Sequence, residues 1–296
     1  MDKKTIISAA ALLALVPALT SCYEDFLDDY NYTSAYFASQ KPLRTVIADR
    51  DMTIRVGVTI GGRREVDKKD YADFVIDPEL LEGTSLTMMP ENYYTLEDPG
   101  KMRISNVNLP IADVTVSFTE AFYDDPAAAG KHYAIPFRVV SSSADSLLEG
   151  KNTSIVAVKF VNRWQGTYYV KGSVSIIGED GDLSGTITYS RNDLSTNLTR
   201  PLSTLTRTTS VRNGVANTAA SGEKVLLTFN ADGTVEASTA DGGIAIAEGS
   251  GSWDDSGERM EISLSYIYEK AGIRYKVDET LYRRQDPLKD LVFEEW

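Results

Sequence analysis

Strict alternation of apolar and polar residues is the feature that most restricts this chain. Met52, Ile54, Val56, Val58 and Ile60 are separated by Thr53, Arg55, Gly57 and Thr59. Side chains on a strand point to opposite faces in turn, so this period of two sets one face on a core and one in water. Val114, Val116 and Phe118 alternate with Thr115, Ser117 and Thr119 in the same way. Ile155 to Val161 is apolar on both sides apart from Lys159, the pattern of a central strand. Further strands are expected at 45–49, 73–77, 101–106 and 132–141. The one helical suggestion is 77–83, where Asp77 can cap a turn that starts with Pro78. Seven or so short strands before residue 162 predict a β-sandwich of immunoglobulin-like type.

Beyond Asn162-Arg163 the pattern changes. Strands are expected near 166–177, 184–191, 199–211, 225–229, 234–240, 244–253, 259–270 and 273–284. Between them lie Glu179-Asp180-Gly181-Asp182, Asn213-Gly214, Asp232-Gly233, Asp241-Gly242-Gly243, Asp254-Asp255-Ser256-Gly257 and Ala271-Gly272. Asn-Gly and Asp-Gly suit two-residue hairpins, whose central residues need positive φ. Eight up-and-down strands predict a closed barrel, which leaves no exposed edge and either packs its interior or holds one small ligand. The reading is therefore all-β, with a sandwich over 41–162 and a barrel over 163–296.

Composition excludes several functions. The chain has 296 residues, 30 Lys+Arg against 43 Asp+Glu, a net charge of -13, one Cys and one His. Phosphate binding needs a basic surface, so no nucleic acid partner is expected. One Cys and one His cannot build a disulfide scaffold or a zinc cluster, and no cofactor signature is present. His132 has no Cys or Ser partner and reads as structural. The pairs Asp124-Asp125, Asp254-Asp255 and Glu294-Glu295 read as solvated turn or terminal residues, because neighbours on a strand face opposite ways and cannot face each other across a cleft. Glu179 to Asp182 lacks the ligand series of an EF-hand and reads as a hairpin turn.

Residues 1–21 read as a secretory signal. Lys3 and Lys4 precede an apolar run from Ile6 to Leu19, too short to cross a bilayer as a helix. Leu19-Thr20-Ser21-Cys22 resembles a bacterial lipobox, which makes Cys22 the lipidated residue and the lipid anchor the sole tie to the membrane. The alternative is an ordinary signal peptide with an incidental Cys. Glu24, Asp25, Asp28 and Asp29 follow, within a tether at 22–40. They are similar to the export signal of Bacteroidetes lipoproteins that face the cell exterior; the other reading is a solvated acidic tether.

Thr84-Ser85-Leu86, Pro90-Glu91-Asn92-Tyr93-Tyr94, Ile104 and His132-Tyr133-Ala134-Ile135-Pro136-Phe137 resemble an all-β domain of unknown function. That domain begins many Bacteroidetes surface lipoproteins and precedes some chitinase-like endoglycosidases. The later half resembles the lipocalin-like domain that often follows it, opening with Trp164-Gln165-Gly166-Thr167-Tyr168 and closing with Gly251-Ser252-Trp253, Tyr266 to Tyr268 and Tyr282-Arg283-Arg284. The resemblance implies an outer-membrane, non-catalytic glycan-binding protein beside a starch-utilisation-type porin and its lipoprotein lid. Alternatives are a carrier of a small apolar ligand, an enzyme, or a structural accessory of a transport complex.

Sugars present C–H faces that stack on rings and hydroxyls that bond to polar groups. Trp253, Tyr268 and Tyr169 are the candidate glycan contacts, with Trp164 read as a core plug and Tyr268 on a mostly interior face. Residues 191–222 carry Arg191, Arg200, Arg207 and Arg212 against Asp193 alone. This is either a solvated hairpin or a surface for an acidic glycan or a protein. Asp145-Ser146-Leu147 resembles a short O-glycosylation acceptor.

Overall fold

The computed structural model describes residues 32–50, 52–62, 66–218 and 222–296. The signal, Cys22 and the acidic run after it lie outside these residues. Two hydrogen-bonded sheets carry the chain, each over its own apolar core.

The first sheet uses β1 (Ser34–Tyr36), β2 (Pro42–Ile47), β3 (Thr53–Gly61), β4 (Tyr71–Ile76), β5 (Thr87–Met88) and β6 (Tyr94–Leu96). It continues with β7 (Lys101–Ile104), β8 (Ile111–Phe118), β9 (Tyr133–Ser142), β10 (Ser146–Leu147) and β11 (Thr153–Val161). The alternation is borne out: Ile54, Val56, Val58 and Ile60 are buried, as are Val114, Val116 and Phe118. β11 is central, antiparallel to β9 and parallel to β2. Asp77 caps a 3-10 turn at Pro78–Leu81 through the amide of Glu79. A short helix, α1 (Glu120–Asp124), was not legible.

The immunoglobulin-like sandwich needs correction. The strands follow one continuous path, β10-β1-β3-β8-β7-β4-β9-β11-β2, and form an open, curled half-barrel. β7 is the stitch: it pairs with β8 on one side and β4 on the other, joining what would otherwise be two sheets.

The second sheet comprises β12 (Gly166–Ile177), β13 (Leu183–Thr188), β14 (Leu198–Thr204), β15 (Thr209–Asn213), β16 (Lys224–Phe229), β17 (Thr234–Thr239), β18 (Ala245–Asp254), β19 (Glu261–Lys270) and β20 (Ile273–Arg283). Pairing of β12 with β20 closes an eight-stranded antiparallel barrel. Its membership differs from expectation. The segment 199–211 turns at 205–208 and supplies two staves, β14 and β15, while β13 pairs only with the far half of β12. Ala271-Gly272 makes the expected hairpin with φ of 53° and 75°. Asn213-Gly214 does not. It opens a longer loop whose Val215 and Ala216 are buried in the barrel core.

After the barrel, α2 (Pro287–Asp290) and β21 (Glu294–Glu295) return to the first sheet, where β21 pairs with Pro42 and Leu43 of β2. The indole of Trp296 donates to the Ile155 carbonyl at 2.8 Å.

Candidate functional site

The barrel has two ends and an outer wall, and the expected aromatic residues are divided among them. At the end facing the first sheet, Trp164 stacks on Phe229 with centroids 4.2 Å apart and planes 8° from parallel. It is 5% exposed, the plug expected from sequence. Trp253 meets Trp164 edge-on at 5.4 Å, donates from its indole nitrogen to the Asn230 carbonyl at 3.1 Å, and lies under the Arg163 guanidinium at 4.9 Å. Its ring is half-buried and occupied by these neighbours.

At the opposite end Tyr268 is 4% exposed and stacks on Tyr275 at 4.9 Å. Burial, with Tyr275 and Glu223 nearby, pushes its hydroxyl up to about 12. Below it the interior is ionic. Arg212 pairs with Glu279, both side chains at most 1% exposed. Arg212 also donates to the Tyr266 hydroxyl at 2.8 Å, and the Tyr189 hydroxyl donates to Glu279 at 3.0 Å. The Ala216 amide donates to the same Tyr266 oxygen at 3.0 Å, so the loop after β15 is tied into the network.

Tyr169 lies on the outer wall. It sits directly across from Tyr282 on β20, and both rings are half-buried. The next outward-facing pairs along the same two strands are Lys171 with Thr280 and Ser173 with Asp278. Directly opposite residues of antiparallel strands share a face, so these six side chains form one row. At its far part is a groove of about 490 Å³, lined by Lys171, Ser173, Thr188, Ser190, Ser263, Asp278 and Thr280 among others. Gly172 lets the wall close here: a Cβ on it would lie 2.6 Å from the Asp278 carbonyl oxygen. Tyr282, Lys171 and Asp278 were missed from sequence. Their signal was their parity on long strands, but only the register between β12 and β20 brings them together.

Of the four arginines in the basic stretch 191–222, Arg191 alone is exposed, and the other three are buried or paired with carboxylates. Arg200 and Arg212 are 8% and 1% exposed, and Arg207 pairs with Asp49, Glu120 and Asp124 of the first half. Of the acidic pairs, Asp124, Asp254, Asp255 and Glu295 are exposed, as expected, and Asp125 is the member that departs from the solvated reading. Asp125 accepts from the hydroxyls of Tyr133 at 2.6 Å and Tyr93 at 3.1 Å. Burial pushes its carboxyl up, but these bonds and the Ala127 amide outweigh that and hold it below its usual range. Both tyrosines belong to the motifs on which the first half's resemblance rests, and their rings meet edge-on at 5.5 Å. Asp255 pairs with Arg163, and Glu294 with Lys159. Among the described residues no group of three or more His, Cys, Asp or Glu could hold a metal ion. Glu179 to Asp182 forms a turn in which Gly178 donates to the Asp182 carbonyl at 2.8 Å. Ser146 is half-buried in β10, its hydroxyl 3.0 Å from that of Ser34.

Residues 27–146 match a family model described as that of an N-terminal domain. A Bacteroides ovatus protein of unknown function is 22% identical, with 90% of this chain and 98% of that one aligned at a TM-score of 0.76. It has the same two-part fold. An auxiliary nutrient binding protein from Bacteroides thetaiotaomicron is 14% identical over 86% of this chain and 95% of its own, at a TM-score of 0.41. No curated protein matches.

Proposed function

We propose that this chain is a non-catalytic, glycan-binding lipoprotein, anchored through Cys22 to the outer membrane and facing the cell exterior. In this reading it presents oligo- or polysaccharide to a porin and its lipoprotein lid. The observation that carries it is the outer row on β12 and β20. Two half-exposed tyrosines lead into a groove lined by hydroxyls, one ammonium and one carboxylate. Such a row offers rings for sugar C–H faces and polar groups for sugar hydroxyls. Tyr169 is assigned to that row, whereas Trp253 is assigned to packing at the other end. The barrel interior argues against an apolar cargo, since a ligand there would lie on the Arg212–Glu279 pair rather than in a dry apolar cavity.

The test has two parts. Cys22→Ala should move the protein from the membrane fraction to the soluble one. The full chain should be retarded in gels containing a bound polysaccharide and release no reducing ends from it. Trp253→Ala should keep that retardation and lower the melting temperature. Loss of retardation at an unchanged melting temperature would make Trp253 the platform. Sugar release would overturn the non-catalytic assignment.

A further inference from the structure

We infer that the outer groove takes an uncharged, hydroxyl-rich glycan laid along the strands, and not an acidic one. This inference rests on the glycan reading above. Its first support is the charge of the groove. Lys171 and Asp278 are one cation and one anion on neighbouring pairs; Glu279 also borders the groove but its carboxylate is sealed inside the barrel on Arg212, and the other polar side chains of the lining are Ser and Thr. Recognition of a uronate or sulfate calls for Arg or Lys in excess, preferably as a guanidinium fork.

The second support is where the arginines went. The basic segment 191–222 could have supplied that excess. Instead it directs Arg200 and Arg212 into the barrel and Arg207 into the junction between the halves, which leaves Arg191, next in sequence after Ser190, as its one exposed arginine and no excess of cations over Asp278 in the groove lining itself. The third is long-range. A net charge of -13 repels a polyanion before contact, at distances set by the Debye length.

Geometry gives the ligand's direction. The pairs Tyr169–Tyr282, Lys171–Thr280 and Ser173–Asp278 follow one another along the same face. At ~3.4 Å per residue they span about 14 Å, the length of a short extended oligosaccharide rather than one sugar ring. The tyrosines stack one end, while hydroxyls and the Lys171–Asp278 charges serve the other.

The test is calorimetry on the detergent-solubilised full chain. Neutral galactomannan, xyloglucan and amylopectin are compared with polygalacturonate and chondroitin sulfate, at low and at high salt. A neutral polymer should bind with an affinity that changes less than about twofold with salt, since no counterions are released. Tyr169→Ala and Tyr282→Ala should each weaken it about tenfold, and Tyr169→Phe should restore it. Tight, salt-sensitive binding of an acidic polymer would overturn the charge class and leave the glycan reading standing. Neutral binding indifferent to both alanine variants would overturn the placement. Binding of neither class would overturn the functional reading and this inference with it.

Discussion

Sealing a guanidinium inside a small barrel is costly unless every donor is served. Arg212 is 1% exposed and gives its donors to Glu279, Tyr266 and the Gly214 carbonyl. Removing one partner of such a pair leaves a buried charge unmatched, whereas removing both together is far milder. Glu279→Ala should therefore cost roughly 3–5 kcal/mol of unfolding free energy. Arg212→Met combined with Glu279→Leu should cost less than Glu279→Ala alone. Denaturant midpoints on the three proteins check this, and a double variant worse than the single would show that the pair is not the unit of stability. Nothing in the local sequence marks this arginine. Arg191 and Arg212 lie in the same basic stretch, yet one is exposed and the other is the largest fully buried side chain. Arg212 shares the inward parity of Ser210 on β15, whereas Arg191 lies in the connection between β13 and β14, and a strand read as ending at 211 hid that parity.

At the level of elements, the barrel closes where β12 meets β20, and Gly172 is the point of closest approach. A methyl group there would lie 2.6 Å from both the Asp278 carbonyl oxygen and the Glu279 Cβ, so the two strands would have to separate. Gly172→Ala should destabilise by about 1–3 kcal/mol, the usual cost of overpacking. Gly242→Ala, in an open turn at φ 61° with nothing near a new Cβ, serves as the comparison for backbone strain alone. Equal losses from the two, by denaturant titration, would count against close approach as the cause. Long strands were legible: β3 and β8 fall where the alternation puts them, β11 where an apolar run on both faces puts it, and β19 and β20 close to their expected bounds. The turn at 205–208 was not. It contains no Gly, Pro or Asn, and its shape comes from elsewhere. The Thr206 hydroxyl accepts from the amide of Thr209, and the side chain of buried Asn162 donates to the Thr206 and Thr209 carbonyls. A turn stabilised from another part of the chain leaves no composition signal. The outer row was half legible for a similar reason, since Tyr169 was singled out but its partner Tyr282 is set by register.

For the whole molecule, the contacts between the two halves differ in kind from the contacts within them. Each sheet has its own apolar cluster, and the described residues that bridge them are largely polar and charged. Arg207 reaches Asp49, Glu120 and Asp124, and Arg50 meets Asp286 at 2.7 Å. One guanidinium of the barrel half therefore faces three carboxylates of the first half, and losing it removes the attraction across the junction and leaves those carboxylates unmatched. Partly exposed pairs of this sort are screened by salt, with a Debye length falling from about 8 Å at physiological ionic strength to about 3 Å at 1 M. Separate cores joined by screened charges predict that the halves can be uncoupled without unfolding either. Arg207→Ala should split one calorimetric transition into two, and high salt should bring the wild-type trace toward the same shape. The fragment 163–286, which omits the segment that returns to β2, should melt cooperatively on its own and match one of the two transitions. Small-angle scattering should show a larger maximum dimension for Arg207→Ala with unchanged strand-type circular dichroism. A single transition that merely shifts to lower temperature, with no change in dimension, would mean that the halves share one cooperative unit and that Arg207 contributes only stability.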